Sequence, residues 1–240
     1  LRWIDLPPPR RPAFLTLYFE QVEHAGHEYG PDSPEVASAL REVDRALARL
    51  VAGLRARGLY GRSDLVIVSD HGMTATTRDR RTYLDDLVPL DDVDVVNYGI
   101  LAGIVPRPGK TAVVERALLA PHAHMQCWRK SDMPSRLHYG SHPRIPALLC
   151  LAEDGGTITS HADEREGGHF SRGEHGYDND DPAMRALFVA HGPDFRRGLV
   201  VPEFDNVDVY PLLVHLLHVP ARPNDGDYAA VAAMLRPASR

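Results

Sequence analysis

Apolar residues recur along this chain in two rhythms. Between Pro34 and Gly58, the residues Val36, Leu40, Val43, Leu47, Leu50 and Leu54 return at alternating steps of four and three, which marks one face of an α-helix. Ser33 is placed to cap that helix, with Pro34 in its first turn, where a missing N–H breaks no intrahelical bond. On either side stand two short continuous apolar runs, Phe14-Leu15-Thr16-Leu17-Tyr18-Phe19 and Leu65-Val66-Ile67-Val68, of the length of buried strands. Strand, long helix, strand is a βαβ unit, and it predicts a parallel pair. Between the first run and the helix, residues 23–30 read as a polar turn. Further runs predict strands at residues 100–105, 147–151 and 186–190, a helix around 113–119, and a last helix over 206–217 in spite of Pro211. Residues 155–176 are rich in Gly, Glu and His and poor in apolar side chains, so they read as a loop that folds around a site or stays mobile. The alternation as a whole implies an α/β fold with a mostly parallel sheet.

Composition narrows the setting. A chain of 240 residues with 43% hydrophobic and 25% charged content can bury a sizeable core as one large or two small domains. A net charge of -6, with basic residues only in short pairs such as Arg10-Arg11 and Arg80-Arg81, excludes a nucleic-acid scaffold as the expected partner but not a nucleotide as a substrate. No stretch reaches the roughly 18 consecutive apolar residues of a membrane span. The chain opens Leu1-Arg2-Trp3-Ile4-Asp5-Leu6, without a charged-then-apolar leader. Cys127 and Cys150 read equally as one disulfide in an oxidising compartment or two buried thiols in a reducing one.

The chemistry concentrates at strand ends. In open parallel sheets ligands bind at the carboxyl ends of strands. Glu23 and His27 follow the first apolar run, and Asp70 and His71, in Ser69-Asp70-His71-Gly72-Met73, follow the second. A right-handed crossover would bring those two ends close together. His175, between Gly173 and Gly176, is the third candidate, since glycines on both sides permit close backbone approach. Carboxylates and imidazoles are costly to desolvate unless paired or ligated, and this set suits zinc. Each piece alone has a plainer reading: a hydrogen-bonded turn for Asp70-His71, a solvated face for Glu23 and His27. His24, His122, His124, His169, His191 and His215 are left as surface or supporting residues, and Met73 as core.

The segments TLYFEQVEHAGHEYGP, IVSDHGM, CWRKSDMPSRLHYGSHPRIP, GEHGYDND and FDNVDVYPLL stand in this order over residues 3–237. Together they closely resemble the nucleotide pyrophosphatase/phosphodiesterase family of the alkaline phosphatase superfamily. The chain is most similar to a compact bacterial-type catalytic domain without nuclease-like or somatomedin-like modules. The resemblance implies an alkaline-phosphatase-like, doubly wound, mostly parallel sheet with helices on both faces. Residues 1–240 would be the C-terminal part of a single catalytic domain, with an insert or smaller subregion at about 86–170. It also implies two Zn2+ ions and a small-molecule phosphodiester substrate, a nucleotide cleaved to a nucleoside monophosphate. One zinc would take Glu23, His27 and His175; the other would take Asp70 and His71 together with an aspartate and a nucleophilic threonine from a preceding part of the chain. Two such ions hold the attacking and leaving oxygens of an in-line displacement through a phosphothreonine, and their charge stabilises the phosphoryl oxygens. The resemblance further implies periplasmic or secreted location and, with it, a disulfide between Cys127 and Cys150.

Two departures qualify these expectations. The family's motif carries aspartate where this chain has Glu23, whose stem is one methylene longer. The portion that supplies the nucleophile has no counterpart within the 240 residues, so little activity is expected of them alone, together with an exposed sheet edge. Within the same superfamily, hydrolysis of choline or phospholipid diesters or of phosphonates is the alternative activity; outside enzymes, the alternative is a zinc-binding remnant without turnover.

Overall fold

The computed structural model describes residues 1–168 and 170–237, so the reading of His169 lies outside the described residues. In chain order the regular elements are α1 (Gln21–Tyr29), α2 (Pro34–Ala56), β1 (Leu65–Val68), β2 (Thr74–Ala75), β3 (Arg81–Tyr83), β4 (Val93–Asn97), β5 (Leu101–Pro106) and α3 (Thr111–Leu118). They continue with β6 (Met125–Arg129), β7 (Leu148–Ala152), β8 (Thr157–Thr159), α4 (His161–Arg165), β9 (Gly173–Glu174), β10 (Phe188–His191), α5 (Val209–Leu216) and α6 (Tyr228–Ala232). Two compact units result: Leu1–Phe19, Arg41–Asp70 and Ala186–Arg240 form the first, Glu20–Leu40 and His71–Arg185 the second.

Helix α2 forms where its apolar stripe predicts. The Val36 N–H donates to Ser33 Oγ at 3.2 Å, satisfying one of the free donors of the first turn. At the other end Gly58 takes φ 64°, and the Gly58 and Leu59 N–H groups return to Arg55 and Leu54 carbonyls at 3.0 and 2.9 Å.

In the first unit, β1 and β10 form an antiparallel two-stranded ladder from Leu65 opposite His191 to Val68 opposite Phe188. Val66, Phe188 and Ala190 pack on a core of Phe195, Leu212, Val231, Met234 and Leu235. α5 follows the short turn Asn206–Asp208 and buries Pro211 and Leu212, Pro211 lying in its first turn, where proline is tolerated. The strand expected at residues 14–19 does not form. A strand exists through its partner, β1 is paired with β10, and among the described residues no ladder reaches this segment; Phe14, Leu17 and Tyr18 are exposed.

The second unit holds a four-stranded antiparallel sheet in the order β4-β5-β7-β6. Val114 and Leu118, one turn apart on α3, are buried with Leu84, Ile104, Leu148, Cys150 and Ile158, each such side chain stabilising the fold by about 1.5–3 kcal/mol. The mixed α/β character is as expected, but the ladders among the described residues are antiparallel apart from β3 with β8. The physical reason is connection length: residues 98–100 alone link β4 to β5, too few for a parallel crossover. Cys127 and Cys150 face each other across β6 and β7 and are joined by a disulfide, which decides between the two readings left open by the sequence.

Two loops of the sequence reading are ordered. Residues 23–29 are not a turn but most of α1, and Gly30, with φ 93°, ends it. Residues 155–176 contain β8, α4 and β9: the β-branched Thr157-Ile158-Thr159 pairs with β3, and Ser160 caps α4 by accepting from the Asp163 N–H at 3.0 Å.

Candidate metal centre

The site grows out of a tight backbone approach in the second unit. Helix α1 carries Glu23 and His27 four residues apart, hence on one face. Gly26, inside this helix, stands where any Cβ would overlap the sulfur of Met73, and a Cβ on Gly173 would overlap the Gly26 carbonyl. These two glycines let the segment after His71 and strand β9 lie directly against α1. The Arg172 N–H donates to the His27 carbonyl at 2.8 Å, so the contact is hydrogen-bonded as well as close.

That approach brings four of the five sequence candidates together. Glu23 Oε1 lies 3.8 Å from His27 Nε2 and 3.6 Å from His175 Nε2. One donor atom each from Glu23, His71 and His175 falls within 4.8 Å of the others. The rings of His71 and His175 stack at 3.6 Å with 14° between planes, and His27 meets His175 at 5.1 Å between centroids. Asp70, the fifth candidate, precedes His71 in sequence but belongs to the first unit. There it is exposed at the end of β1, and its carbonyl accepts from Asn206 Nδ2 at 2.8 Å.

The hydrogen bonds fix which nitrogen of each ring is available. His27 Nδ1 lies 2.7 Å from the Gly173 carbonyl, and His71 Nδ1 lies 2.8 Å from the Gly72 carbonyl. A carbonyl only accepts, so each Nδ1 carries a proton, and Nε2 is the nitrogen whose lone pair the neutral ring offers to a metal. Burial pushes the His175 imidazole toward its neutral form, and the neighbouring His71 and His27 rings push the same way. Neutral imidazoles with bare Nε2 atoms around a carboxylate are the state in which these groups ligate a divalent ion. The donor set therefore fits zinc. The longer stem of Glu23 still brings one oxygen between two imidazole nitrogens.

Sequence reasoning missed the layer behind the donors: Ser171, the Gly173 carbonyl and Glu174, whose Oε2 is 3.7 Å from His27 Nδ1. The adjacency of Glu174 to His175 was its one visible signal. Among the other histidines, His122 Nε2 meets the Ala117 and Leu118 carbonyls at the end of α3, and His191 stacks on Tyr60.

The family described as Type I phosphodiesterase / nucleotide pyrophosphatase matches residues 1–178 of this sequence. The chain belongs to that family. Human ectonucleotide pyrophosphatase/phosphodiesterase family member 5 is 34% identical over 222 residues, 92% of this chain and 46% of the relative. A venom phosphodiesterase of Crotalus durissus collilineatus is 33% identical over 246 residues, 98% of this chain and 29% of its own length. The solved structure of murine family member 5, an inactive threonine-to-alanine variant in complex with AMP, superposes with a TM-score of 0.83 at 32% identity, covering 89% of this chain and 56% of that one. The phosphodiesterase family thus supplies the fold class as well, and this chain spans about half or less of the length of the relatives it matches.

Proposed function

We propose that this chain carries the metal-binding part of a hydrolase of phosphodiester and pyrophosphate bonds, acting on nucleotides with two Zn2+ ions. The observation that carries the reading is the convergence of Glu23 Oε1 on His27 Nε2 and His175 Nε2, with His27 Nδ1 committed to a carbonyl. Glu23, His27 and His175 would hold one ion; His71 and Asp70 would serve the other, as the family resemblance assigns them. Bound zinc supplies charge neutralisation at phosphoryl oxygens and acidifies a bound hydroxyl. The chain's own residues do the preparatory work: α1 and the segments bearing His71 and His175 set the donor positions, and the Gly173 and Gly72 carbonyls accept at Nδ1 of His27 and His71, which leaves Nε2 as the nitrogen that faces a metal. The nucleophile is assigned to a threonine outside these 240 residues, a reading supported by the inactive threonine-to-alanine variant of the murine relative and by AMP in its site.

An oxidising, extracytoplasmic location accords with the Cys127–Cys150 disulfide and with relatives named as ectoenzymes and venom enzymes. Among the described residues no helix is long and apolar enough to cross a membrane.

Calorimetric titration of zinc into chelator-stripped protein tests the metal reading. Uptake lost in His175→Ala is expected, and failure of the parent to bind zinc would overturn it. Hydrolysis of the p-nitrophenyl ester of thymidine monophosphate, compared with p-nitrophenylphosphocholine, tests the substrate class once the threonine-bearing segment is supplied. Preference for the choline ester would move the activity to lipid-type diesters.

A further inference from the structure

We propose that Ser171 is a positioning residue that clamps β9 to the end of α1 and so holds the Gly173 carbonyl on His27 Nδ1; the proposal rests on the metal reading above. Ser171 lies 144 residues from His27 and is buried. Its Oγ is 3.2 Å from His27 Nδ1, 3.0 Å from the His27 carbonyl and 2.5 Å from the Gly173 carbonyl. A hydroxyl has one proton to give and lone pairs to receive. Placed between two carbonyl oxygens it donates to one of them, and its lone pairs are left for the Nδ1–H. The Gly173 carbonyl, with Glu174 Oε2 beyond it, offers Nδ1 only acceptors. Ser171 is itself held, because its carbonyl accepts from the buried Thr76 hydroxyl. One side chain thus joins the main chain of the helix bearing Glu23 and His27 to that of the segment bearing His175.

The surroundings explain why a hydroxyl is needed here. Ser171 and Glu174 also line a cavity of about 240 Å³, with Arg81, Thr157 and Phe170 on other walls. A water molecule occupies about 30 Å³ of liquid, so the cavity has room for several. Removing the Ser171 hydroxyl would open this volume to water, which competes for the two carbonyls the hydroxyl joins. The serine oxygen holds them with fixed geometry. That geometry keeps His27 Nε2 directed at Glu23.

The test is Ser171→Ala and Ser171→Thr, read by zinc titration and by nitrogen-15 spectra of the histidine rings in the metal-free protein. For Ser171→Ala the expected loss of zinc affinity is about 10- to 100-fold, the usual range for a partner behind a ligating histidine. The Nδ1–H signal of His27, protected and sharp in the parent, is expected to exchange rapidly or to give way to a mixture of ring forms, with His71 unchanged. Ser171→Thr, which keeps the hydroxyl, restores both readouts. Thr159→Ala, which removes another buried hydroxyl of this unit, is the control for simple loss of packing and leaves affinity and the His27 signal unmoved. Parent-like affinity and a sharp Nδ1–H signal in Ser171→Ala would overturn the proposal. If the parent binds no zinc, the metal reading falls, and the ring form of His27 in the metal-free protein still decides the role of Ser171.

Discussion

The two compact units differ in how completely they satisfy themselves. The second closes a four-stranded sheet over α3 and buries Leu84, Ile104, Leu118, Leu148 and Ile158 to 1% exposure or less. The first has a two-stranded ladder and a smaller core, and leaves Val68, Leu187 and Val189 at 47%, 57% and 47% exposure, with Phe14 and Leu17 exposed as well. Glu23, His27, His71 and His175 all belong to the well-packed unit. A metal centre depends on donor atoms held to a fraction of an ångström, and such precision comes from elements locked by packing and main-chain hydrogen bonds.

The largest effect should separate histidines by unit. Zinc binding of about 10–16 kcal/mol spread over the four positions of a tetrahedral ion makes removal of one protein ligand worth about 100- to 1,000-fold in affinity. His175→Ala is expected to fall in that range. His191→Ala, in the first unit and stacked on Tyr60, should leave the zinc isotherm of the parent unchanged. Equal losses would break the assignment of the histidine donors to the second unit.

Packing gives the next contrast. Leu118→Ala removes a fully buried side chain and should cost about 2–5 kcal/mol in urea unfolding, whereas Leu187→Ala, more than half exposed, should stay within about 0.5 kcal/mol. Loss of the disulfide in the paired Cys127→Ser and Cys150→Ser variant opens a loop of sequence separation 23 and should cost about 3 kcal/mol. The same variant should make the unfolding curve insensitive to reductant. Gly26→Ala comes next: its methyl meets the Met73 sulfur, the end of a flexible side chain, so about 1–3 kcal/mol is expected rather than unfolding. Met73→Ala in the same chain should recover part of that loss; no recovery would show that the glycine serves something other than the approach of Met73.

How much of this was legible in the sequence follows the range of the interactions. Helix α2 was readable because six apolar residues state its face and Ser33 its start. Glu23, His27 and His71 stood out as candidates by residue type and placement after apolar runs, His175 by its flanking glycines, and the family resemblance assigned them to metal; the folded chain brings the four side chains together. Helix α1 was misread because Gly26 and Gly30 look like turn residues, and only the proximity of Met73 gives Gly26 its reason to be helical. The run at 14–19 has the composition of a strand, but pairing is a property of two segments. Ser171 was invisible for the same reason: its role is defined by a residue 144 positions away.

The smallest predicted effect concerns the first unit and has a sign set by burial. Asp64, at the foot of β1, is raised from its ordinary value first by burial; the Asp194 N–H opposes that, the nearby Asp194 carboxylate adds to the rise, and His191 opposes it. A raised carboxyl binds its proton more tightly in the folded than in the unfolded chain, so folding is favoured at low pH. Stability declines as pH climbs from the unfolded value of 3.8 through the raised folded value, and above that the penalty is constant. Solvent reaches this partly exposed group, which holds the penalty below about 1 kcal/mol. Asp64→Asn keeps an oxygen for the Asp194 N–H, now accepted at 3.2 Å, and carries no charge. The variant should therefore be slightly more stable than the parent at pH 7 and equal to it near pH 3, as urea midpoints at the two pH values would measure. A variant less stable at pH 7 would mean that the carboxylate is held by a favourable partner, and the first unit would be better satisfied than its exposed apolar surface indicates.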